Sequence, residues 1–121
     1  MPDTRKKLGD FGEAFALAHL LRSGLSEVAR KWRCRRGEID LVMQDGATLV
    51  FVEVRTRRDA VAAESVGARK QNKLAELAYS YVQHHRIPAE TAWRIDVVAI
   101  QIGHRGQVER LDWVQNAVEE L

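Results

Sequence analysis

The stretch "GEIDLVMQDGATLVFVEVRTR", residues 37–57, decides how this chain folds. Two largely apolar runs lie on either side of "QDGAT", and an Asp-Gly pair between two such runs is a strong signal for a β-hairpin. We expect the loop at 45–48 and a strand on each side of it. A slip of one residue would move every side chain to the other face, so the position of this turn fixes which side chains meet.

Three carboxylates lie inside this hairpin, where a buried sheet favours apolar side chains. With the loop at 45–48, Asp40 lies opposite Glu53 and Glu38 lies opposite Arg55, at Cβ separations of about 4.5–5.5 Å. Two carboxylates that close repel each other unless a cation neutralises them, and oxygen ligands favour Mg²⁺ or Mn²⁺. The alternative is a solvated strand face with cross-strand ion pairs, such as Glu38 with Arg55.

Alternation along the two strands assigns the other hairpin side chains to faces. On the first strand, one face is predicted to carry Glu38, Asp40 and Val42, and the other Ile39, Leu41 and Met43. On the second strand, one face is predicted to carry Leu49, Phe51, Glu53 and Arg55, and the other Val50, Val52 and Val54.

The patterns around the hairpin predict a single domain over residues 1–121. The predicted elements are a helix over 8–23, a strand over 26–35, the hairpin, a helix over 67–86, and strands over 92–102 and 108–114. Residues 1–7 are expected to form a flexible basic N-terminus, and residues 58–66 a mobile loop. The order α-β-β-β-α-β-β predicts an α/β fold with a mixed central sheet flanked by helices.

Each predicted helix has an apolar stripe with one charged residue in line with it. The stripe of the first helix comprises Phe11, Phe15, Ala18 and either Leu21 or Arg22, and that of the second Leu74, Leu77, Ala78, Tyr81 and Val82. Glu13 shares a helix face with Leu17 and Leu20, and Lys70 lies one turn before Leu74, so both can approach the sheet. Alternatively, Glu13 is a first-turn acid favoured by the helix dipole, and Lys70 is solvated.

Composition limits the class of protein. The chain has 121 residues, of which 45% are hydrophobic and 30% charged, as in ordinary globular domains. No apolar run approaches the roughly 20 residues that span a bilayer, and the N-terminus has no secretory signal. The single cysteine, Cys34, excludes an intrachain disulfide, which suits a cytoplasmic protein, and without a nearby histidine it is expected to be inert.

The net charge of +2 hides an asymmetry along the chain. Residues 1–73 hold 15 of the 19 Lys and Arg against 10 Asp and Glu, so a basic face for phosphates is predicted if the clusters fold together. The candidate nucleic-acid-binding residues are Arg33, Arg35, Arg36, Arg57, Arg58, Lys70 and Lys73. Trp32 is a candidate for stacking on a base, whereas Trp93 and Trp113 are expected in the core. A solvated surface remains the alternative for the charges.

Five segments in this order carry a family resemblance. They are "GDFGEAFALAHLLRSG", "RRGEIDLV", "LVFVEVRTR", "ARKQNKLAELAYSYV" and "WRIDVVAI". Together they resemble the YraN-like family of small bacterial proteins, over about residues 8–114. That family is similar to the Holliday-junction resolvases and the restriction-endonuclease-like PD-(D/E)xK nucleases. The resemblance implies a restriction-endonuclease-like mixed central β-sheet flanked by helices.

The resemblance also implies site residues. Asp40 stands at the aspartate of the nuclease motif, Glu53 at its second acid, and Glu13 at the helical glutamate of the resolvase-like branch. Lys70 or Gln71 matches the polar positions that begin the later helix. Glu38 and Asp96 are typical of the family, without an assigned role.

One residue departs from the family motif, which usually ends in lysine. Here "EVR" places Arg55 at that position. Arginine keeps the charge and can hold a phosphate oxygen, but it stays protonated and cannot act as a base. The predicted catalytic set is Glu13, Asp40, Glu53, Arg55 and Lys70, of which Glu13, Asp40 and Glu53 would hold Mg²⁺ or Mn²⁺.

Three functions follow as hypotheses. The first is a metal-dependent endonuclease that hydrolyses DNA phosphodiester bonds, at branched or flapped structures. The second is a nucleic-acid-binding module of the same fold without cleavage, and the third is an adaptor whose charged face meets a protein. Since resolvase-like proteins cut two strands as dimers, a homodimer is also expected.

Overall fold

Two helices and five strands make up the computed structural model, which describes residues 4–58 and 68–118. They are α1 Thr4–Arg22, β1 Ser26–Cys34, β2 Gly37–Asp45, β3 Thr48–Arg58, α2 Ala68–His84, β4 Trp93–Ile102 and β5 Val108–Val114. This is the predicted order, so the α/β class with a mixed sheet flanked by helices is confirmed. The predicted loop at 58–66 lies outside the described residues, except for Arg58 at the end of β3.

The five strands form one sheet in the order β1-β2-β3-β4-β5. Neighbouring strands are antiparallel, except for the parallel pair β3–β4, which α2 connects in sequence. From Asp45 to Leu41 the hairpin has the predicted register, with Gln44 opposite Leu49 and Asp45 opposite Thr48, but the ladder ends before the predicted pair of Asp40 with Glu53. Gly46 has a φ of 60°, a value that suits glycine as the first residue of a two-residue hairpin turn.

A hydrophobic cluster lies on each face of the sheet. On the α1 side it includes Ala16, Leu17, Leu20, Leu41, Met43, Val50, Val52, Val98, Ile100 and Ile102. On the α2 side it includes Ile39, Val42, Leu49, Phe51, Leu74, Leu77, Ala78, Tyr81 and Ile95. The predicted faces are therefore confirmed for the apolar residues of β3, and so is the predicted stripe of α2.

The predicted apolar stripe of α1 was right only in part: Phe15 packs against the α1-side cluster, but Phe11 and Leu21 do not belong to the buried face. Ala16, Leu17 and Leu20 are buried against the sheet, whereas Phe11 is 45% and Leu21 47% exposed. Residues 14–21 are nearly all apolar, so their spacing does not distinguish one face from another. Gly12 determines which face of the helix meets the sheet, because it lies directly against β3 and lets the helix approach closely.

The N-terminus also differs from expectation. Residues 4–7, predicted to be part of a flexible segment, form the first turn of α1. Leu8 packs against the α1-side cluster and fixes the helix there. Arg5, Lys6 and Lys7 are good helix formers that extend it by one turn. Neither helix among residues 4–58 and 68–118 combines the length and apolar character that a membrane crossing requires.

The predicted alternation along β2 was wrong near Asp40. Ile39 packs in the α2-side cluster and Leu41 in the α1-side cluster, although two residues apart they should share a face. The strand pairing explains this: the β2–β3 ladder ends at Leu41 and Val52, and the facing strand β1 has Lys31 at a φ of 52°. The end of the β2–β3 ladder and the distorted Lys31 backbone lie on either side of Asp40, so β2 changes face at that residue.

Asp96, which had no assigned role, is a structural acid. It is fully buried and accepts hydrogen bonds from Arg94 Nε at 3.0 Å, Trp113 Nε1 at 2.9 Å and the Asn116 N–H at 2.9 Å. Arg94 also donates to Asp45 at the hairpin turn, at 3.1 Å. Asp96 therefore joins β4 to β5 and to the segment after it, because a buried carboxylate needs such partners.

Trp32 is not an open stacking surface. It is half-buried beneath the end of α2, with its ring centroid 5.2 Å from Tyr81, 6.0 Å from His84 and 5.8 Å from His85. The strand alternation that exposes the arginines around it turns this ring inward. Trp32 therefore belongs to the α2-side packing.

Candidate functional site

Three carboxylates from two elements meet on the α1 side of the sheet. Glu13 of α1 and Glu38 and Asp40 of β2 each offer one oxygen, and these oxygens lie within 4.8 Å of one another. Glu13 faces the sheet because it continues the buried ridge of Leu17 and Leu20. The change of face in β2 brings Glu38 and Asp40 toward the helix. We call Glu13, Glu38 and Asp40 the acid triad.

Asp40 is the most perturbed member of the triad. Its Oδ2 accepts a hydrogen bond from the Val54 N–H at 2.8 Å, where the β2–β3 ladder has already ended. Burial, together with the charges of Glu53, Glu13 and Glu38, raises the pKa of Asp40 to about 7, although the Val54 hydrogen bond acts in the opposite direction. The carboxyl is therefore surrounded by like charge, which is the condition that a cation relieves.

Glu53 lies beside Asp40, on the α2 side. It is electrostatically linked to Asp40, and its Oε1 is 3.2 Å from Lys70 Nζ. The prediction that Lys70 approaches the sheet is thus confirmed geometrically. Arg55 is half-buried on the same strand, two residues further on. The pairing of Glu38 with Arg55 was wrong: Glu38 binds Arg33 on β1 at 2.8 Å, because β3 diverges from β2 beyond Leu41.

Lys31 is a contact of the triad that sequence reasoning missed. Its Nζ lies 3.0 Å from Glu13 Oε1 and 3.0 Å from Asp10 Oδ1. Hydrogen bonds to Asp10 and then Glu13 hold the pKa of Lys31 above its usual range. In the sequence, Lys31 is one more base in "RKWRCRR", and nothing there distinguishes it from its solvated neighbours. Glu38 was noted as typical of the family, but its place in the triad follows only from the change of face in β2.

The triad fits a hard divalent cation by its chemistry. All its donors are carboxylate oxygens, the type that Mg²⁺ and Mn²⁺ prefer. Adjacent oxygen ligands of an octahedral Mg²⁺ ion are about 3 Å apart, so the triad oxygens would move closer together by up to about 2 Å to bind one ion. The predicted metal set of Glu13, Asp40 and Glu53 is thus brought together only in part. Glu13 and Asp40 share the triad with Glu38, and Glu53 is a neighbour of Asp40.

The predicted nucleic-acid-binding residues do not share one face. Lys70 and Lys73 lie along a groove beside α2 with Arg69, Asn72 and Glu76. Arg36 approaches the same helix, 3.9 Å from Glu76. Arg58 instead lies on the α1 side with Lys7 and Phe11. Side chains alternate between the two faces of β3, and Arg58 is an odd number of residues after Glu53, so it lies on the opposite face. Arg33, Arg35 and Arg57 are exposed.

The comparisons with known proteins give the family. The model of the uncharacterised protein family UPF0102 matches residues 12–100. The chain belongs to this family. A UPF0102 protein of Chloroflexus aurantiacus is 48% identical over 120 residues, which cover 99% of both chains. One of Stutzerimonas stutzeri is 50% identical over 114 residues, covering 92% of this chain and 93% of the relative. The resemblance to YraN-like proteins is therefore confirmed.

Among solved structures, the chain is similar to Pyrococcus furiosus SfsA in complex with Ca²⁺. The match has 15% sequence identity and a TM-score of 0.43, and it covers 98% of this chain and 66% of the other. The UPF0102 relatives, by contrast, match this chain along nearly its whole length. The acid triad and Glu53 all lie within the segment that the family model matches.

Proposed function

We propose that this UPF0102 protein is a metal-dependent endonuclease that hydrolyses DNA phosphodiester bonds, at branched or flapped structures. The observation that carries the proposal is the acid triad, whose carboxylate oxygens lie within 4.8 Å of one another. Cationic side chains lie near it: Lys31 contacts Glu13, Lys70 contacts Glu53 beside Asp40, and Arg55 follows Glu53 by two residues on β3. Acids that gather one divalent cation beside bases that attract phosphate are the groups that phosphodiester hydrolysis needs.

In this proposal the acidic side chains bind the metal and the basic side chains bind the phosphate. Glu13, Glu38 and Asp40 would hold Mg²⁺ or Mn²⁺, which supplies Lewis acidity and a water of lowered pKa when bound. Glu53 extends the acid surface toward α2. Arg55 and Lys70 lie on that side and would bind non-bridging phosphate oxygens, so they stabilise negative charge as it develops. Arg55 stays protonated and therefore only binds and orients.

Lys70 and Lys73 give the nucleic acid a path past the site. They line the α2 groove, with Lys70 already in contact with Glu53. Contacts of this kind bind the phosphate backbone and carry no base information, so recognition of DNA structure rather than sequence is expected. Such binding weakens steeply with salt.

The test is a nuclease assay on a panel of four-way junction, flap and single-stranded DNA with Mn²⁺ or Mg²⁺. Wild-type protein should cut at least one substrate with metal and none in EDTA. Asp40→Asn and Glu13→Gln should abolish cutting, because each removes a triad charge. The matched control Glu27→Gln removes a carboxylate paired with Arg30 on β1, outside the triad, and should leave cutting intact. A double variant Asp40→Asn/Glu13→Gln that still cuts would refute the assignment.

A specific observation favours the second candidate, a module that binds nucleic acid without cutting it. Arg55 replaces the motif lysine, and ion pairs from Lys31, Arg33 and Lys70 engage the acids. Salt-dependent DNA binding with no cleavage under any metal would establish this function instead.

The predicted homodimer remains a proposal, and sedimentation of the protein with and without junction DNA tests it.

A further inference from the structure

Lys31 occupies an unusual place for a surface lysine. It lies in the middle of β1, yet its φ of 52° is in the left-handed region, which costs a residue with a side chain about 1 kcal/mol. The pairs on either side of it, Arg30 with Leu41 and Trp32 with Ile39, are regular. The distortion is therefore confined to one residue, and it coincides with the position facing Asp40.

The backbone distortion accompanies a specific set of contacts. Lys31 Nζ lies 3.0 Å from Asp10 and 3.0 Å from Glu13, two acids one helical turn apart on α1. Glu13 in turn belongs to the acid triad. An ammonium group at this position is the cation nearest to Glu13 that the described residues supply. Lys31 on β1 therefore neutralises the charge of Glu13, which is a member of the acid triad on α1.

We infer that Lys31 is an internal counter-cation that competes with the divalent metal for Glu13 and so sets the metal concentration at which the site fills. This inference rests on the proposed metal site. Without metal, the ammonium offsets part of the repulsion among Glu13, Glu38 and Asp40. With metal, Glu13 must exchange the ammonium for the ion, while Asp10 remains as the partner of Lys31.

The direction of the effect follows from the charges. A positive group beside the triad repels an incoming divalent cation and holds one of its ligands, so both effects weaken metal binding. Removing the ammonium should therefore tighten metal binding, whereas a residue that merely supports the fold would weaken binding or leave it unchanged when replaced. The two roles are distinguished by the sign of the change.

The experiment measures Mn²⁺ affinity by isothermal titration calorimetry for the full chain and its Lys31→Asn variant. Asparagine tolerates a positive φ better than most residues, so the variant keeps the backbone of β1 while losing the charge. We expect Lys31→Asn to bind Mn²⁺ about tenfold more tightly than wild type. In melting experiments, its metal-free form should be less stable than wild type, and saturating Mn²⁺ should raise its Tm by more.

Two further variants make the outcome decisive. Lys31→Arg keeps the charge and should bind Mn²⁺ within about twofold of wild type. Arg30→Gln removes the same charge from the adjacent residue, which pairs with Glu27 instead, and should have the same small effect. Unchanged or weaker Mn²⁺ binding in Lys31→Asn, or an equal gain in Arg30→Gln, would overturn the inference alone. Failure of wild type itself to bind Mn²⁺ would overturn the proposed metal site and this inference with it.

Discussion

Replacing Asp40 by asparagine should stabilise the metal-free protein at neutral and alkaline pH. Burial and the charges of Glu53, Glu13 and Glu38 raise the pKa of Asp40 to about 7 from its ordinary value of 3.8. Asparagine removes the charge, and its side-chain oxygen can still accept the Val54 N–H hydrogen bond. The substitution therefore removes the burial of a charge and the repulsion from its neighbours, without leaving a backbone donor unsatisfied.

The pH dependence follows by linkage. The folded state binds the Asp40 proton more tightly than the unfolded state does, so the stability from this group is present below pH 3.8. It is lost as the pH rises through about 7. One pKa unit corresponds to about 1.4 kcal/mol, so the full loss is at most about 4 kcal/mol. Between pH 5 and pH 8 the loss is about 2.5 kcal/mol, an upper value because four acids share the repulsion.

Urea unfolding in EDTA at pH 5 and pH 8 measures this loss. The free energy of unfolding of Asp40→Asn minus that of wild type should increase by about 1–2.5 kcal/mol from pH 5 to pH 8. The control Glu27→Gln removes a surface carboxylate outside the acid triad, and any pH trend common to both variants is subtracted. A variant that is no more stable than wild type at pH 8 would refute the claim that burial and neighbouring like charge destabilise the Asp40 carboxylate.

Three other substitutions, two of them with a matched control, test the packing and the basic surface. Gly12→Ala should lower the free energy of unfolding by about 1–3 kcal/mol, because its Cβ would collide with the facing threonine of β3. Gly9→Ala on the same helix meets no atom within 4 Å and should raise it by about 0.5–1 kcal/mol, as chemical denaturation of the pair will show. Trp113→Phe should cost about 1–3 kcal/mol by the same measurement, since a buried aspartate loses a donor. Lys73→Ala should weaken binding of junction DNA and reduce the slope of log K against log salt concentration by about 1, whereas Arg58→Ala on the opposite side should change neither. Fluorescence anisotropy at several salt concentrations measures both quantities, and equal behaviour of the two variants would contradict the prediction.

Much of the fold could be predicted because local signals specify it. The Asp-Gly turn alone sets the register from Asp45 to Leu41, and the stripe on α2 is unambiguous because its other faces are polar. The buried face of α1 could be predicted only in part, since residues 14–21 are apolar on almost every side of the helix. Its orientation depends on Gly12, which matters only because β3 lies directly opposite.

The site was harder to predict than the sheet. Strict alternation would place Glu38 and Asp40 with Val42, on the side away from α1. Their convergence with Glu13 requires the change of face in β2, which depends on pairing with two other strands. Lys31 could not be identified for a related reason, because a left-handed lysine within a strand has no sequence signature.

The acid triad joins elements that are separate in the chain, since one of its members lies on α1 and two lie on β2. An ion bound there would tether the helix to the sheet, in addition to the close packing around Gly12. Opening of the helix would then require release of the ion. Amide hydrogen exchange in the middle of α1 should consequently slow on addition of Mn²⁺, while exchange in β5, remote from the triad, should stay the same.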